Sequence, residues 1–316
     1  MAEAGRRILL YQFETMLANE PGARAGSDPE AIHDMRVATR RMRAALQLIG
    51  DCYEPEALDP ISSGLKRTGR RLGQVRDLDV LRINMEAYLE MLPAGRCHEL
   101  DSVLWRWQRQ HKKARQRMLS YLNSPDHQDF LTRMEPFVRT EGAGVRKQDK
   151  AGSAHYACVG EIVPGLIHGH TQRVLAYGPD LERASIERLH ALRIDIKCLR
   201  YTLEFFRSVL GKGVQSVIST AVSLQDHLGA LNDAVMAQLY IQKSVAKAQR
   251  HAAKWARKGA DEVQAFDYEG AEAYLTYLES VVAAGRLDLP GKWAALNLPE
   301  TQKKLEKAVD GLQTQK

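Results

Sequence analysis

The chain has 316 residues, long enough for two domains of ordinary size, with 44% hydrophobic and 7% aromatic residues. That hydrophobic content excludes a disordered chain, and the scarcity of alternating Val/Ile/Thr runs leaves strands little support. A formal charge of +6 points to anionic partners, and no stretch approaches the eighteen or more apolar residues that span a bilayer.

Good helix formers dominate, so the chain is expected to be nearly all α. A first helix is predicted over 3–19, stopped by Pro21-Gly22. Ser27-Asp28-Pro29-Glu30 then reads as a capped start, with proline in the first turn, for a helix reaching about residue 51. Helices over 60–72 and 77–92 are predicted to meet at a bend at Gly73, and others cover 99–121 and 128–139. The glycine-rich segment 140–153 reads as a linker. The second half repeats the plan. A helix over 155–177, broken at Pro164-Gly165, leads to a Gly178-Pro179 turn, and Ser185 caps the next, which reaches about residue 210. Gly211-Lys212-Gly213 separates that from a helix ending at Leu228-Gly229, followed by one over 232–260, one over 271–284, a Pro290-Gly291 break and a short last helix.

One pattern is written twice. His33, Arg36, Arg40 and Arg43 recur 157 residues on as His190, Arg193, Lys197 and Arg200. The apolar positions between them are copied as well, and a second marker follows each copy: Leu72-Gly73-x-x-Arg76-Asp77, then Leu228-Gly229-x-x-Asn232-Asp233. A duplicated helical unit is the simplest account. At 100° per residue the four basic residues of the first copy share an arc of roughly 80°, with Met35, Met42, Leu46 and Ile49 opposite.

Further basic ladders run along other helices. Arg106, Arg109, Lys113 and Arg117 form one; Lys243, Lys247, Arg250, Lys254 and Arg257 a second; Lys66, Arg67, Arg70 and Arg71 a cluster. With no acid read at the i+4 positions, like charges repel unless anions occupy them. A long, repetitive anion suits such ladders, since arginine forks grip phosphate oxygens and lysine adds compact charge. A charged helix face is usually only a solvated face; two copies in one register argue against that here. Asp77, Asp79 and Asp233 raise metal or general-base chemistry, but a metal needs three or four converging ligands, and helix capping or orientation of arginines is the simpler role. Trp105 and Trp107 straddle their helix, which argues against a stacking platform for bases. No Walker, GxGxxG, HExxH or GxSxG element is present. The expectation is therefore a non-enzyme without metal or cofactor.

The four cysteines, Cys52, Cys97, Cys158 and Cys198, lack zinc or disulfide spacing, and residues 1–7 lead into an amphipathic segment rather than an apolar signal region. A reduced, cytoplasmic protein is expected.

The run Ile32-His33-Asp34-Met35-Arg36-Val37-Ala38-Thr39-Arg40-Arg41-Met42-Arg43, followed by Val75-Arg76-Asp77-Leu78-Asp79, resembles the opening of a CHAD domain, the conserved histidine α-helical domain. Leu189-His190-x-x-Arg193-x-x-x-Lys197-x-x-Arg200-Tyr201 and Leu228-Gly229-x-Leu231-Asn232-Asp233 fit its second half, so the resemblance spans about residues 5–310. It implies two four-helix bundles related by pseudo-twofold symmetry around a basic cavity: residues 1–139, a linker over 140–154, and residues 155–316. It also implies binding of inorganic polyphosphate, with association to polyphosphate or polyhydroxyalkanoate granules a further possibility. The chain looks like a stand-alone member, lacking the triphosphate-processing domain fused to some relatives. The phosphate-contacting role carries over to His33, Arg36, Arg40, Arg43, His190, Arg193, Lys197 and Arg200. For Lys66, Arg70, Arg109, Lys113, Lys247, Arg250 and Lys254 it rests on ladder geometry. Nucleic-acid binding is the second reading, and a metal-dependent phosphohydrolase using Asp77 or Asp233 the third.

Overall fold

The computed structural model describes residues 1–26, 28–146, 158–256 and 266–313, and among these the chain is helical without a strand. The helices are α1 (Ala2–Ala25), α2 (Pro29–Ile49), α3 (Pro55–Glu90), α4 (Asp101–Leu122), α5 (Pro125–Arg139), α6 (Val159–Leu175), α7 (Ile186–Phe205), α8 (Arg207–Leu210), α9 (Val214–Ala256), α10 (Tyr268–Asn297) and α11 (Pro299–Gln313). No described helix is long and apolar enough to cross a membrane.

Helix starts follow local chemistry. Asp28 accepts the Glu30 N–H with Pro29 in the first turn of α2, and Ser185 accepts the Arg188 N–H at the head of α7. Both helices that carry the duplicated motif therefore begin where the sequence places them.

The predicted breaks at Pro21-Gly22, Gly73, Pro164-Gly165, Leu228-Gly229 and Pro290-Gly291 are corrected by the structure, because helices run through all five. At Pro21 the lost backbone bond is offset by a polar network. Buried Glu20 meets Arg24 at 2.5 Å and the wholly buried His127 at 3.2 Å. Arg24 also donates to the Leu122 carbonyl, and Arg115 donates to the carbonyls of Arg24 and Ala25 at 2.7 and 2.8 Å. The helix ends instead at Gly26, whose φ of 71° suits glycine alone among common residues. At Pro290, buried Leu289 and Trp293 hold both sides, and the Trp293 indole donates to the Val174 carbonyl. Tertiary packing overrides a local breaker when residues on both sides of it are buried. We expect Glu20→Ala, which leaves the wholly buried His127 without its carboxylate partner and removes the ion pair to Arg24, to destabilise the fold by about 3 kcal/mol. Chemical denaturation measures this, and an unchanged midpoint would contradict it.

The apolar core falls into three clusters. One joins α1, α2, α3, α4 and α5 around Phe13, Met35, Met42, Leu65 and Phe130. A second joins α6, α7, α9, α10 and α11 around Leu192, Leu199, Leu224 and Trp293. The third is shared: Met85, Tyr88 and Val103 of the first half pack with Ala237, Ile241 and Tyr274 of the second. Residues 140–146 lead out of α5, with Tyr53 bridged to Val145; the remainder of the expected linker, 147–154, lies outside the described residues.

Candidate anion-binding site

The inner faces of α2 and α7 are apolar as the repeat requires: Met35, Met42, Leu192 and Leu199 are all fully buried. The opposite faces turn toward each other. Arg40 lies close enough to Arg36, Arg193 and Arg200, and Lys197 to Arg36, Arg40, Arg193 and Arg200, for their charges to shift one another. Five cations from the two copies thus share one region, half-buried.

The same neighbour recurs beside each central arginine. A Cβ on Gly73 would stand 3.4 Å from Arg36 Nε, and one on Gly229 would stand 3.9 Å from Arg193 Nε and Nη2. Both are ordinary van der Waals distances, so the glycine of each second marker packs beside the arginine of its own motif. Four residues on, Asp77 reaches Arg36 at 3.4 Å, so this acid orients an arginine from mid-helix instead of capping an end. Burial pushes the Asp77 carboxyl above its usual pKa, with Asp233 adding to the rise and Arg36 and Arg193 opposing it.

Beside the cluster lies a second assembly absent from the motif comparison. Glu204 takes Arg41 of α2 at 2.7 Å and Arg200 of α7 at 3.3 Å. The guanidinium carbons of Arg40, Arg41 and Arg200 stand 5.8, 5.4 and 4.8 Å from the centre of the Tyr201 ring. The reading that no acid stands at an i+4 position is corrected here, since Glu204 is four residues beyond Arg200. Arg76 approaches Glu30 at 3.8 Å, and Glu30 also meets His33 Nδ1 at 3.1 Å.

These acids do not satisfy the cluster. Among the described residues, Arg40, Arg43, Arg193 and Lys197 have no ion-pair partner, and the Nε atoms of Arg40 and Arg193 are buried without any hydrogen-bond acceptor. Buried guanidinium donors lacking acceptors are costly, and neighbouring like charges add to the cost. The burden shows in the titration. Burial, then Arg193, Arg40, Arg36 and Arg200, bring the Lys197 ammonium down to about 7. Burial with the same neighbours holds Arg40 below the ordinary arginine value, although Tyr201 opposes the shift.

The remaining sequence candidates are spread more widely. Arg43 reaches over Gly69 of α3, and Lys66 and Arg70 are exposed on the α3 stripe that continues into Gly73 and Asp77. His190 lines a small crevice with Arg193 and Asn232. Lys113 lines a shallow groove with Arg71 and Arg117, and Arg109 lies 4.8 Å over the exposed Trp105 ring. Trp107 is the more buried tryptophan, donating to the Leu78 carbonyl. Lys247, Arg250 and Lys254 are exposed near the end of α9; Arg257 lies outside the described residues. Glu30, His33 and Asp34 bring potential ligand atoms within 4.8 Å of one another at the head of α2, in an exposed setting. The four cysteines are free.

Fold and site together define an all-helical protein with a cation cluster built from two copies of one helix motif. The CHAD domain family model matches residues 7–242, and the chain belongs to that family. No curated protein matches it. Among solved structures, the chain is similar to the crystal structure of the CHAD domain from the plant Ricinus communis, at 23% identity and TM-score 0.69, covering 94% of this chain and 92% of that one. It is also similar to PptA from Streptomyces chartreusis, at 13% identity and TM-score 0.68, covering 93% of this chain and 99% of the other. At these identities the likeness is one of fold.

Proposed function

We propose that this protein binds inorganic polyphosphate without catalysing its turnover, through the cluster formed by Arg36, Arg40, Arg193, Lys197 and Arg200. The observation that carries this reading is the pair of buried, acceptor-less Nε atoms on Arg40 and Arg193 inside a group of like charges. An anion with many identical acceptor oxygens relieves the repulsion and supplies the missing acceptors together, and each such charge-assisted contact is stronger than a neutral one. Binding is favoured over hydrolysis because Asp77 and Glu204 are engaged with Arg36 and with Arg41 and Arg200, and Asp233 alone does not make the set of three or four ligands that a metal needs.

The two halves, 1–139 and 155–316 joined through 140–154, act as pseudo-twofold equivalents in this reading. The matched Gly73–Arg36 and Gly229–Arg193 contacts support it. Exposed Arg43, Lys66 and Arg70 extend the track from the cluster, and a chain long enough to leave the centre meets further cations there. His33 and His190 contribute ring nitrogens at its margins. The protein would act in the cytoplasm, and association with polyphosphate or polyhydroxyalkanoate granules would follow from this binding.

Competition separates this reading from nucleic-acid binding. At equal phosphate concentration, long-chain polyphosphate is expected to displace labelled single-stranded RNA, and pyrophosphate to displace it far less well, because one long ligand engages several cations at once. RNA that resists displacement would transfer the reading to nucleic acid.

A further inference from the structure

On the other side of Arg193 the chemistry reverses. A cavity of about 500 Å³ opens between α3, α9 and α10, with Arg193, Gln225, Asp226, Asp233, Tyr274 and Tyr277 in its wall. Its volume falls within the usual range for small-molecule sites. We propose that this cavity binds a small organic cation, a primary ammonium of the polyamine class.

Charge supports this first. Two carboxylates face one guanidinium, giving a local net charge of −1 in a protein of formal charge +6. Neither Asp226 nor Asp233 has an ion-pair partner among the described residues. The second support is acceptor capacity. Gln225 is 8% exposed, and its Oε1 lacks a hydrogen-bond partner; Tyr274 is fully buried, and its hydroxyl lacks one too. An ammonium group brings the donors that a carbonyl oxygen and a phenol oxygen can accept. The third support is the aromatic wall. The Tyr274 and Tyr277 rings stack at 6.1 Å, and Tyr88 packs on both at 4.7 and 4.9 Å. Tyr277, the half-buried ring of this group in the cavity wall, suits the methylene chain of an amine, and cations are attracted to such rings.

Spacing decides between an organic cation and a metal ion. Asp226 and Asp233 are two helical turns apart, about 10 Å along the α9 axis, which is too far to close on one metal. The same separation suits an extended chain with an ammonium near each end. This inference shares Arg193 with the polyphosphate reading but rests on Gln225, Asp226, Asp233, Tyr274 and Tyr277, which that reading does not use, and it is tested without any polyanion.

The test is calorimetric titration of spermidine into the full-length protein at low salt, with Asp226→Asn and the remote exposed Asp59→Asn as variants. Saturable binding is expected, weakened at least about fivefold in Asp226→Asn and unchanged in Asp59→Asn. Because Asp226 is exposed, its substitution leaves the core intact; Gln225→Leu should weaken binding as well. Absence of saturable binding in the millimolar range, or equal weakening by the Asp59 and Asp226 substitutions, would overturn the proposal.

Discussion

Replacing Arg40 and Arg193 together with alanine is expected to lower affinity for long-chain polyphosphate at least about a hundredfold while leaving the unliganded protein as stable as before, or more so. Each side chain offers a buried Nε with no internal acceptor. Hydrogen bonds to charged groups contribute about 1.5–3 kcal/mol each, so losing two multiplies the effect on affinity. Stability moves the other way because both residues stand among like charges, and burial already disfavours the charged form of Arg40. Binding titration together with thermal unfolding reads both quantities. A large fall in melting temperature with unaltered affinity would mean that these arginines serve the fold and not a ligand.

The second large effect concerns pH, and it turns on Lys197. In the free protein its ammonium titrates at about 7, against an ordinary value of 10.5. A bound polyanion favours the charged form, so above pH 7 binding must draw a proton from solution. Affinity is therefore expected to fall as pH rises from about 7.5 to 9, approaching tenfold per unit from this group alone. Unliganded stability has the opposite sign. The unfolded chain keeps the Lys197 proton up to the ordinary value, so the folding penalty is full below about pH 7 and shrinks as pH rises. Lys197→Met should flatten both trends. The four neighbours that depress the lysine are arginines, which hold their protons throughout this window. Affinity equally pH-dependent in Lys197→Met would assign the titration elsewhere.

Much of the plan was legible in the sequence, for a physical reason: a duplicated helix keeps both its core positions and its charged positions in register. His33 through Arg43 and His190 through Arg200 showed which faces pack and which are cationic, and Asp28 and Ser185 marked the helix starts. The five predicted breaks failed because proline and glycine report local preference, whereas Leu289, Trp293 and Glu20 bind the flanking turns to other helices. Gly73 and Gly229 illustrate the point. They lie within unbroken helices, packed beside Arg36 and Arg193, and mark no bend.

Arg41, Tyr201 and Glu204 escaped the motif comparison because their counterparts in the other copy are Cys198, Ala44 and Gln47. A search for what two repeats share passes over residues by which one repeat holds the other. Glu204 clamps Arg41 and Arg200 from opposite halves, and the i+4 spacing from Arg200 was the one signal that could have found it. The outer ladders raised the opposite difficulty. Lys247, Arg250 and Lys254 share a helical spacing with the motif residues, yet spacing alone does not say which helix faces which.

The most direct measurement is titration of long-chain polyphosphate into the purified protein at two salt concentrations. With about five cations engaged, affinity should fall on the order of a hundredfold between about 50 and 200 mM salt, by analogy with counterion release from nucleic acids. Tight binding with that slope is the predicted result. No binding at low salt, or binding indifferent to salt, would contradict the assignment of the cation cluster as a polyanion site.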